Sequence, residues 1–273
     1  MSHAKKNSMN KIISAFSFFS ILTFISPANS ATATSNGSTA AASEVVVASS
    51  RAAFDDFLEN LYDEADLRKK GLDFDVFKRA ATGFYNLKEK NKLSRTKDLL
   101  TVIDFNKPST EKRLWIVDLN KKKVLYHSLV AHGMGSGNEK AVKFSNVVNS
   151  HMSSLGFYVT ENTYIGKHGL SLKLNGLDRG FNTNAKSRAV VVHGADYVSE
   201  SFVKQHGRLG RSHGCPALPK EITTEVVQLI KGGTCLYIDG PSANYTSAFL
   251  DTDSAIKRFE TEILAKQAKL LSK

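Results

Sequence analysis

Cysteine and proline are scarce in this sequence, whose 273 residues include only two cysteines and five prolines. Two cysteines cannot build the disulfide framework of a small secreted fold, nor a four-cysteine zinc site. So few prolines exclude a collagen-like or mucin-like chain, and 41% hydrophobic residues exclude a wholly disordered one. The composition is that of a folded globular protein, and the length allows either one large domain or one domain with helical additions.

A long hydrophobic run is also absent. The most apolar stretch, residues 12–25, has 14 residues and contains hydroxyl side chains, whereas a membrane span needs about 20. Three lysines precede this stretch and small residues follow it up to Ser30, which predicts a signal peptide over 1–30 and an exported protein. An uncleaved anchor or a core helix is the alternative. No cysteine lies near the cut, which excludes a lipoprotein anchor.

Acidic residues are outnumbered: 37 Lys and Arg stand against 26 Asp and Glu, for a net charge of +11. A basic chain suits nucleic acid, an anionic membrane or an acidic polymer such as cell wall. Residues 31–98 carry 11 charges of each sign, whereas residues 99–242 carry 18 basic residues against 11 acidic ones. The basic character therefore belongs to the second of these regions.

The chain divides into segments by composition. Residues 31–50 are mostly Ala, Ser and Thr, which predicts a flexible linker. Residues 51–98 show helical spacing of apolar side chains, with Asp73 as an N-cap between two helices. Residues 99–242 contain seven short runs rich in β-branched and aromatic residues, at 99–105, 113–119, 124–132, 154–160, 170–176, 188–194 and 234–240. Only 221–230 looks helical in this region, and 243–273 is a helical tail. The prediction is a mainly β catalytic region flanked by helices.

The chemistry of the sequence is concentrated between His193 and Cys215. A free cysteine with a pKa near about 8.5 is mostly protonated at neutral pH, and a nearby imidazole can take its proton and hold the thiolate as an ion pair. The run RAVVVHG ends at His193, and the Gly194 carbonyl could hold the far ring nitrogen and set the tautomer. Ser212, His213 and Gly214 precede the cysteine in a glycine-containing turn, which can direct backbone N–H groups at an oxyanion.

Other interpretations of these residues stay open. Cys235 lies in a predicted strand and is expected to be a structural core residue. A disulfide between the two cysteines is conceivable in an oxidising compartment, but it would inactivate the nucleophile. A zinc site from His193, His206, His213 and Cys215 is a further alternative, although compact pairs of ligands at zinc-site spacing are missing.

The combination of HG and SHGC resembles the L,D-transpeptidase catalytic domain (YkuD-like), a family of exported bacterial cysteine enzymes that act on peptidoglycan. The resemblance runs from about Leu99 to Gly240, in a β-sandwich or barrel domain. It is carried by HGMGSG at 132–137, FSNVVNS at 144–150, SSLGFYVT, GKHGLSLKLNGL, RAVVVHGADYV and GRLGRSHGCPA. Several spaced motifs agree in order with the murein L,D-transpeptidase branch.

The resemblance implies a role for individual residues. Cys215 would be the nucleophile, His193 its base, and the Gly194 carbonyl the group that orients the base. The backbone N–H groups of Gly214 and Cys215, with His213 as a third, would form the oxyanion hole. The candidate substrate-binding residues are Ser212, Arg211, Arg208, His168 and Tyr164.

The sequence departs from the family at one position. The wider family carries a polar residue two positions after the cysteine, where this chain has Ala217. The contact that the polar residue makes is therefore either absent or supplied elsewhere, with Arg208 and Arg211 as the candidates. His132 and His168 are candidates for lining the cleft, or satisfied structural histidines.

The family resemblance also implies partners and inhibitors. The expected substrate is the peptide stem of peptidoglycan in the bacterial periplasm or cell envelope, with no nucleic acid partner and no membrane anchor after signal cleavage. No metal or organic cofactor is required. Carbapenems are expected to acylate Cys215.

Three functions remain distinct at this stage. An L,D-transpeptidase would form 3→3 cross-links through a Cys215 thioester, whereas a carboxypeptidase or endopeptidase would hydrolyse the same stems. A wall-binding protein without catalysis would explain charge and export but would leave His193 and Cys215 without a role. A sortase lacks the HG and SHGC pattern, and an NlpC/P60-type endopeptidase places its cysteine before its histidine.

Overall fold

Eight strands form one sheet in the part of the chain that the computed structural model describes, residues 38–272. The spatial order is β3-β2-β1-β8-β4-β5-β6-β7, and only the β1–β8 and β6–β7 pairs are parallel. The strands are β1 Leu99–Asp104, β2 Leu114–Asp118, β3 Lys123–Ser128, β4 Gly156–Gly166, β5 Gly169–Gly176, β6 Val191–Gly194, β7 Ala217–Leu218 and β8 Cys235–Asp239. All seven predicted runs contain a strand.

The two edges of the sheet meet through the segment that follows β3. Ala131 donates its N–H to the Ala217 carbonyl at 2.9 Å and accepts the Ala217 N–H at 3.4 Å. Since β3 and β7 are the opposite edges, this bridge makes the sheet nearly closed and barrel-like. The predicted fold, a mainly β domain with flanking helices, is confirmed.

The central strands are buried on both faces, so they are apolar at nearly every position. Val102 and Tyr237 face one apolar cluster, whereas their neighbours Ile103 and Ile238 face a second cluster on the other side. Alternate residues point to opposite faces of a strand, and each face therefore has its own core.

Helices cover both faces. They are α1 Ser38–Glu64, α2 Phe74–Glu89, α3 Glu200–His206, α4 Lys220–Ile230 and α5 Thr252–Leu271, with a 3-10 turn at Met134–Ser136. Side chains of α1, α2 and α5 form the first cluster together with the sheet, and Val226 and Ile230 of α4 contribute to the second. The helices predicted in 51–98 and in the tail are therefore packing elements of the sheet.

The helix boundary at Asp73 follows from its side chain. Its carboxylate accepts the N–H groups of Asp75 at 2.9 Å and Val76 at 3.2 Å, which satisfies two donors that the first turn of α2 leaves without a partner. The N-cap predicted at this position is confirmed. None of the described helices combines the length and the apolar character that a membrane crossing requires.

Three local predictions differ from the structure. The linker predicted over 31–50 is wrong from Ser38 onward, because α1 begins there; the Ala-rich stretch favours a helix through its propensity. The short helix α3 was not predicted, although Ser199 caps it by accepting the Phe202 N–H at 3.2 Å and Gly207 ends it at φ +70°. The two-residue strand β7 was not predicted either. The signal peptide predicted over 1–30 lies outside the described residues.

Candidate active site

The turn that carries the cysteine is braced from within by one serine. The Ser212 hydroxyl accepts the Gly214 N–H at 3.0 Å and donates to the Cys215 carbonyl at 2.7 Å. Gly214 has φ +119°, a conformation that side chains rarely adopt, and a Cβ there would lie 2.7 Å from the Met152 carbonyl oxygen. The glycine of SHGC is therefore required both by the backbone conformation and by the close approach of a neighbouring chain.

Outside the turn, the segment after β3 anchors it. The Ser212 N–H donates to the His132 carbonyl at 3.0 Å, and the Met134 N–H donates to the Ser212 carbonyl at 2.8 Å. Gly133 lies so close that a Cβ there would be 2.8 Å from the Gly214 Cα. The HGMG motif thus serves as a backbone support for the cysteine turn.

The thiol of Cys215 contacts the segment that leads into β6. The Sγ accepts the Val191 N–H at 3.4 Å and donates to the Ala189 carbonyl at 3.6 Å. Burial raises the pKa of the Cys215 thiol, and the Val191 N–H, Arg188 and Lys167 counteract part of this rise. Burial thus favours the protonated thiol over the thiolate.

His193 is buried and its ring is held in one tautomer. Its Nδ1 lies 3.1 Å from the Gly194 carbonyl oxygen, which can only accept, so Nδ1 carries the proton and Nε2 is free to accept one. The His168 ring stacks on it with centroids 4.5 Å apart. Burial lowers the pKa of His193, and the Gly194 hydrogen bond opposes this.

Strand register places Cys215 and His193 at the same cavity. His193 pairs with Ala217 across the parallel β6–β7 ladder, and Cys215 precedes Ala217 by two residues. The sequence predicted an ion pair, but burial shifts the pKa of the thiol upward and that of the imidazole downward. Burial therefore favours a neutral thiol and a neutral imidazole over the predicted ion pair.

This neutral pair predicts the pH dependence of acylation. A His193 pKa below its ordinary value of 6.5 leaves the imidazole able to accept a proton down to mildly acidic pH. We expect the rate of Cys215 acylation by a carbapenem, followed by intact mass, to fall with a midpoint below pH 6.5. The variant His206→Gln, in α3, should have the same profile, whereas a midpoint at pH 7 or above would contradict the neutral pair.

One predicted donor of the oxyanion hole is already engaged. The Gly214 N–H donates to Ser212, so it is not directed at a substrate in this structure. The N–H groups of His213 and Cys215, by contrast, have no acceptor among residues 38–272. The His213 ring stacks on His151 with centroids 4.2 Å apart. The N–H groups on either side of Gly214 in the chain thus remain candidates for stabilising an oxyanion.

A cavity of about 490 Å³ opens over the cysteine. Its charged lining consists of Lys167, Arg188 and Arg211, without any Asp or Glu. The site residues predicted from the sequence that line it are Cys215, His193, His213, Ser212, Arg211, His168 and Tyr164. The cavity is therefore electropositive and suited to an acidic ligand.

Several predicted residues lie elsewhere. Arg208 does not line the cavity and donates to the Leu209 carbonyl at 2.8 Å, so the expectation that it contacts substrate is not supported. His132 is fully buried, with Nδ1 2.8 Å from the Arg113 guanidinium, and is a structural histidine. Gly194 does not line the cavity either, and its carbonyl oxygen contacts His193 Nδ1.

Two cationic residues of the site were missed. Arg188 and Lys167 line the cavity, and both lower the pKa of the thiol. Both stand within motifs that carry the family resemblance, RAVVVHG and GKHG, but no local pattern indicates that they share a cavity with the cysteine. Only the pairing of β5 with β6 brings the two motifs together.

The structure bears on the two alternatives for the cysteines and histidines, a disulfide and a zinc site. Both thiols are free, and Cys235 is fully buried in β8, as expected of a core residue. In the described part of the chain, no three His, Cys, Asp or Glu side chains are grouped in a way that could hold a metal ion. His206 stacks on Phe202 in α3, outside the cavity.

The fold and this cavity agree with the comparison to known families. The model of the L,D-transpeptidase catalytic domain matches residues 68–238, and the chain belongs to this family. Enzymes of the family act on the peptide stems of peptidoglycan. The matched region begins before the first strand and so includes α2. No curated protein matches the sequence.

Similar solved structures include L,D-transpeptidases and a cell shape determining protein. An L,D-transpeptidase from Mycobacterium smegmatis is 14% identical over 52% of this chain and 59% of its own, with a TM-score of 0.32. The helical cell shape determining protein Pgp2 from Campylobacter jejuni is 12% identical over 67% and 63%, with a TM-score of 0.37. The chain spans less than two thirds of the length of both proteins. The family assignment depends on the family model, because these similarities are weak.

Proposed function

We propose that this protein is an exported cysteine acyl-transferase that acts on the tetrapeptide stems of peptidoglycan in the bacterial cell envelope. The observation that supports this most directly is the shared cavity, which is lined by a free thiol at Cys215, a tautomer-fixed imidazole at His193, and His213, whose backbone N–H, like that of Cys215, is without an acceptor in the described residues. These are the nucleophile, the base and the oxyanion donors that acyl transfer requires.

The first half of the reaction forms a thioester. Cys215 Sγ attacks the carbonyl carbon that joins the L-centre of diaminopimelate to the terminal D-alanine, and His193 Nε2 takes the thiol proton. The N–H groups of His213 and Cys215 stabilise the resulting oxyanion. When the C–N bond breaks, the amine of D-alanine leaves with the proton from His193, and the acyl group stays on sulfur.

The second half returns the free enzyme. The side-chain amine of a second stem attacks the thioester carbonyl, His193 takes the proton of the amine, and the C–S bond breaks as the thiol is reprotonated. The product is a 3→3 cross-link. Water in place of the amine gives the tripeptide, which is the carboxypeptidase reaction. Neither half requires a metal, because the residues named above supply the nucleophile, the base and the oxyanion donors.

The charge of the cavity fits this substrate. Lys167 and Arg211 form no ion pair with a carboxylate of residues 38–272, and Arg211 is held only by the Gly137 carbonyl and the Asn138 side chain, at 3.0 and 2.9 Å. Stem peptides that end in D-alanine and carry diaminopimelate present several carboxylates. Their attraction to unpaired cations favours binding at low ionic strength.

Product analysis tests this function and separates its two forms. Purified tetrapeptide muropeptides should be incubated with the protein and the products identified by mass spectrometry. We expect a dimer that has lost one D-alanine, together with free D-alanine, as the product of transpeptidation. A tripeptide alone would assign the carboxypeptidase reaction. Recovery of unchanged muropeptide at high enzyme concentration would contradict both.

A further inference from the structure

Arg188 is tied to a loop far from it in the sequence. One terminal nitrogen of its guanidinium donates to the Ser145 carbonyl at 2.6 Å and to the Ser154 hydroxyl. The other donates to the Ser150 hydroxyl at 3.2 Å and to the Met152 carbonyl. Four hydrogen bonds from one guanidinium hold the loop 145–154 in place, so this side chain has a fixed position at the site.

The charge of Arg188 is not neutralised by these contacts. All four acceptors are carbonyl or hydroxyl oxygens, and none of the described Asp or Glu side chains forms an ion pair with it. The side chain is half-buried, and burial lowers its pKa from the ordinary value of 12.5. It nevertheless stays a cation at neutral pH. A fixed, partly desolvated cation without a counterion stabilises negative charge that forms beside it.

The cysteine turn lies next to this cation. A Cβ on Gly214 would be 3.1 Å from the Arg188 guanidinium and 2.7 Å from the Met152 carbonyl that the guanidinium binds. Arg188 and Cys215 line the same cavity, and the backbone just after Arg188 holds the thiol through Ala189 and Val191. The same short segment thus provides both the support of the sulfur and the charge near it.

We infer that Arg188 is a positioning residue that keeps the cysteine turn in place and stabilises the thiolate of Cys215 by its charge. The inference rests on the proposed function in that Cys215 is the nucleophile. Arg208 and Arg211, which the sequence suggested as possible sources of a missing substrate contact, are placed differently. Arg208 lies outside the cavity, and Arg211 is bound to the opposite loop at Gly137. The electrostatic effect of Arg188 on the thiol agrees in direction with this inference, since Arg188 lowers the pKa of Cys215.

The test is the pKa of the thiol in variants of Arg188. The rate at which iodoacetamide alkylates Cys215 is measured against pH, and peptide mass spectrometry separates Cys215 from the buried Cys235. In Arg188→Gln, which loses the charge, we expect the pKa to rise by about one unit and alkylation at pH 7 to slow about tenfold. In Arg188→Lys, which keeps the charge, the rate should stay within about threefold of wild type.

The controls separate charge from folding. Arg208→Gln makes the same chemical change outside the cavity and should leave the thiol pKa unchanged, while thermal unfolding is followed for every variant. If Arg188→Gln does not fold, Arg188→Lys carries the test, because it loses the fork geometry but keeps the charge. A thiol pKa unchanged in the glutamine variant, or raised by a full unit in the lysine variant, would overturn the inference.

This measurement uses no peptidoglycan, so its outcome is independent of the proposed substrate. A wild-type protein that leaves muropeptides unchanged would contradict the proposed function and would leave the thiol titration valid. A normal turnover of muropeptides with an unshifted thiol in Arg188→Gln would remove the role of Arg188 and leave the proposed function standing.

Discussion

Replacing Cys215 with alanine is expected to abolish muropeptide turnover, by at least about a thousandfold in kcat, because the acyl group then has no atom to which it can be transferred. The residue is only partly buried and its side chain makes weak contacts with Val191 and Ala189. The variant should therefore fold with nearly unchanged stability. The measurement is product formation from purified tetrapeptide muropeptides by mass spectrometry, with circular dichroism as the check on folding.

The second cysteine provides the matched control. Cys235 is fully buried in the core beneath α1 and α2 and does not line the cavity, so Cys235→Ala should lower stability but retain turnover once folded. Binding of Cys215→Ala to isolated cell wall should persist, because the cations of the cavity are untouched. If turnover survived the loss of Cys215, both the thioester mechanism and the assignment of Cys215 as the nucleophile would be wrong.

Replacing Gly214 with alanine is expected to lower kcat about a hundredfold while the protein still folds. The backbone conformation at φ +119° costs a residue with a Cβ about 1–3 kcal/mol. The new Cβ would also lie 2.7 Å from the Met152 carbonyl oxygen, which is backbone and cannot rotate away. The turn must shift to relieve this contact, and a displacement of about 1 Å at a reacting atom costs about two orders of magnitude in rate.

The variant Gly207→Ala is a control that separates the cost of a positive φ from the effect of a displaced cysteine turn on activity. It also has a positive φ, +70°, but nothing lies within 4 Å of a Cβ built there, and it caps α3 outside the cavity. Gly207→Ala should therefore lose stability to a similar extent and keep its activity. Rates of carbapenem acylation and thermal unfolding measured for both variants make the comparison. A Gly214→Ala protein with near wild-type acylation would show that the turn tolerates displacement.

The candidate nucleophile and base could be predicted because each lies in a short contiguous motif of the sequence. HG and SHGC each place their reactive groups within a few residues, and the strand run before His193 indicates where its side chain stands. The contact between His193 Nδ1 and the Gly194 carbonyl involves adjacent residues, so local geometry decides it. The catalytic roles themselves stay predictions, which the variants above test.

Electrostatics and hydrogen-bond allocation were less predictable. The ionisation state of the pair depends on burial, which comes from strands and helices far apart in the sequence. The engagement of the Gly214 N–H by Ser212 depends on a rotamer within the turn. The contribution of Arg188 depends on a loop more than thirty residues earlier in the chain. The burial of the pair and the charge of Arg188 near the thiol depend on contacts between distant segments, and no local pattern of residues predicts them.

Secondary structure shows the same division. Long periodic segments such as α2 and the core strands were predicted, since their apolar spacing reflects burial on one or two faces. The two-residue strand β7 was not predicted, because it exists only through its pairing with β6 and Ala131. The start of α1 at Ser38 was not predicted either.

The sequence by itself determined the class of fold and the basic character of residues 99–242, and it predicted the nucleophile Cys215 and the base His193 from two contiguous motifs. Scarcity of cysteine, periodicity and contiguous motifs suffice for this, since each is a local property of the chain. Only the tertiary structure decided that the sheet closes at Ala131 and Ala217, that the cations facing the thiol include Arg188, and that burial favours a neutral Cys215 and His193. These features depend on distance and desolvation, which exist only after distant segments have packed together.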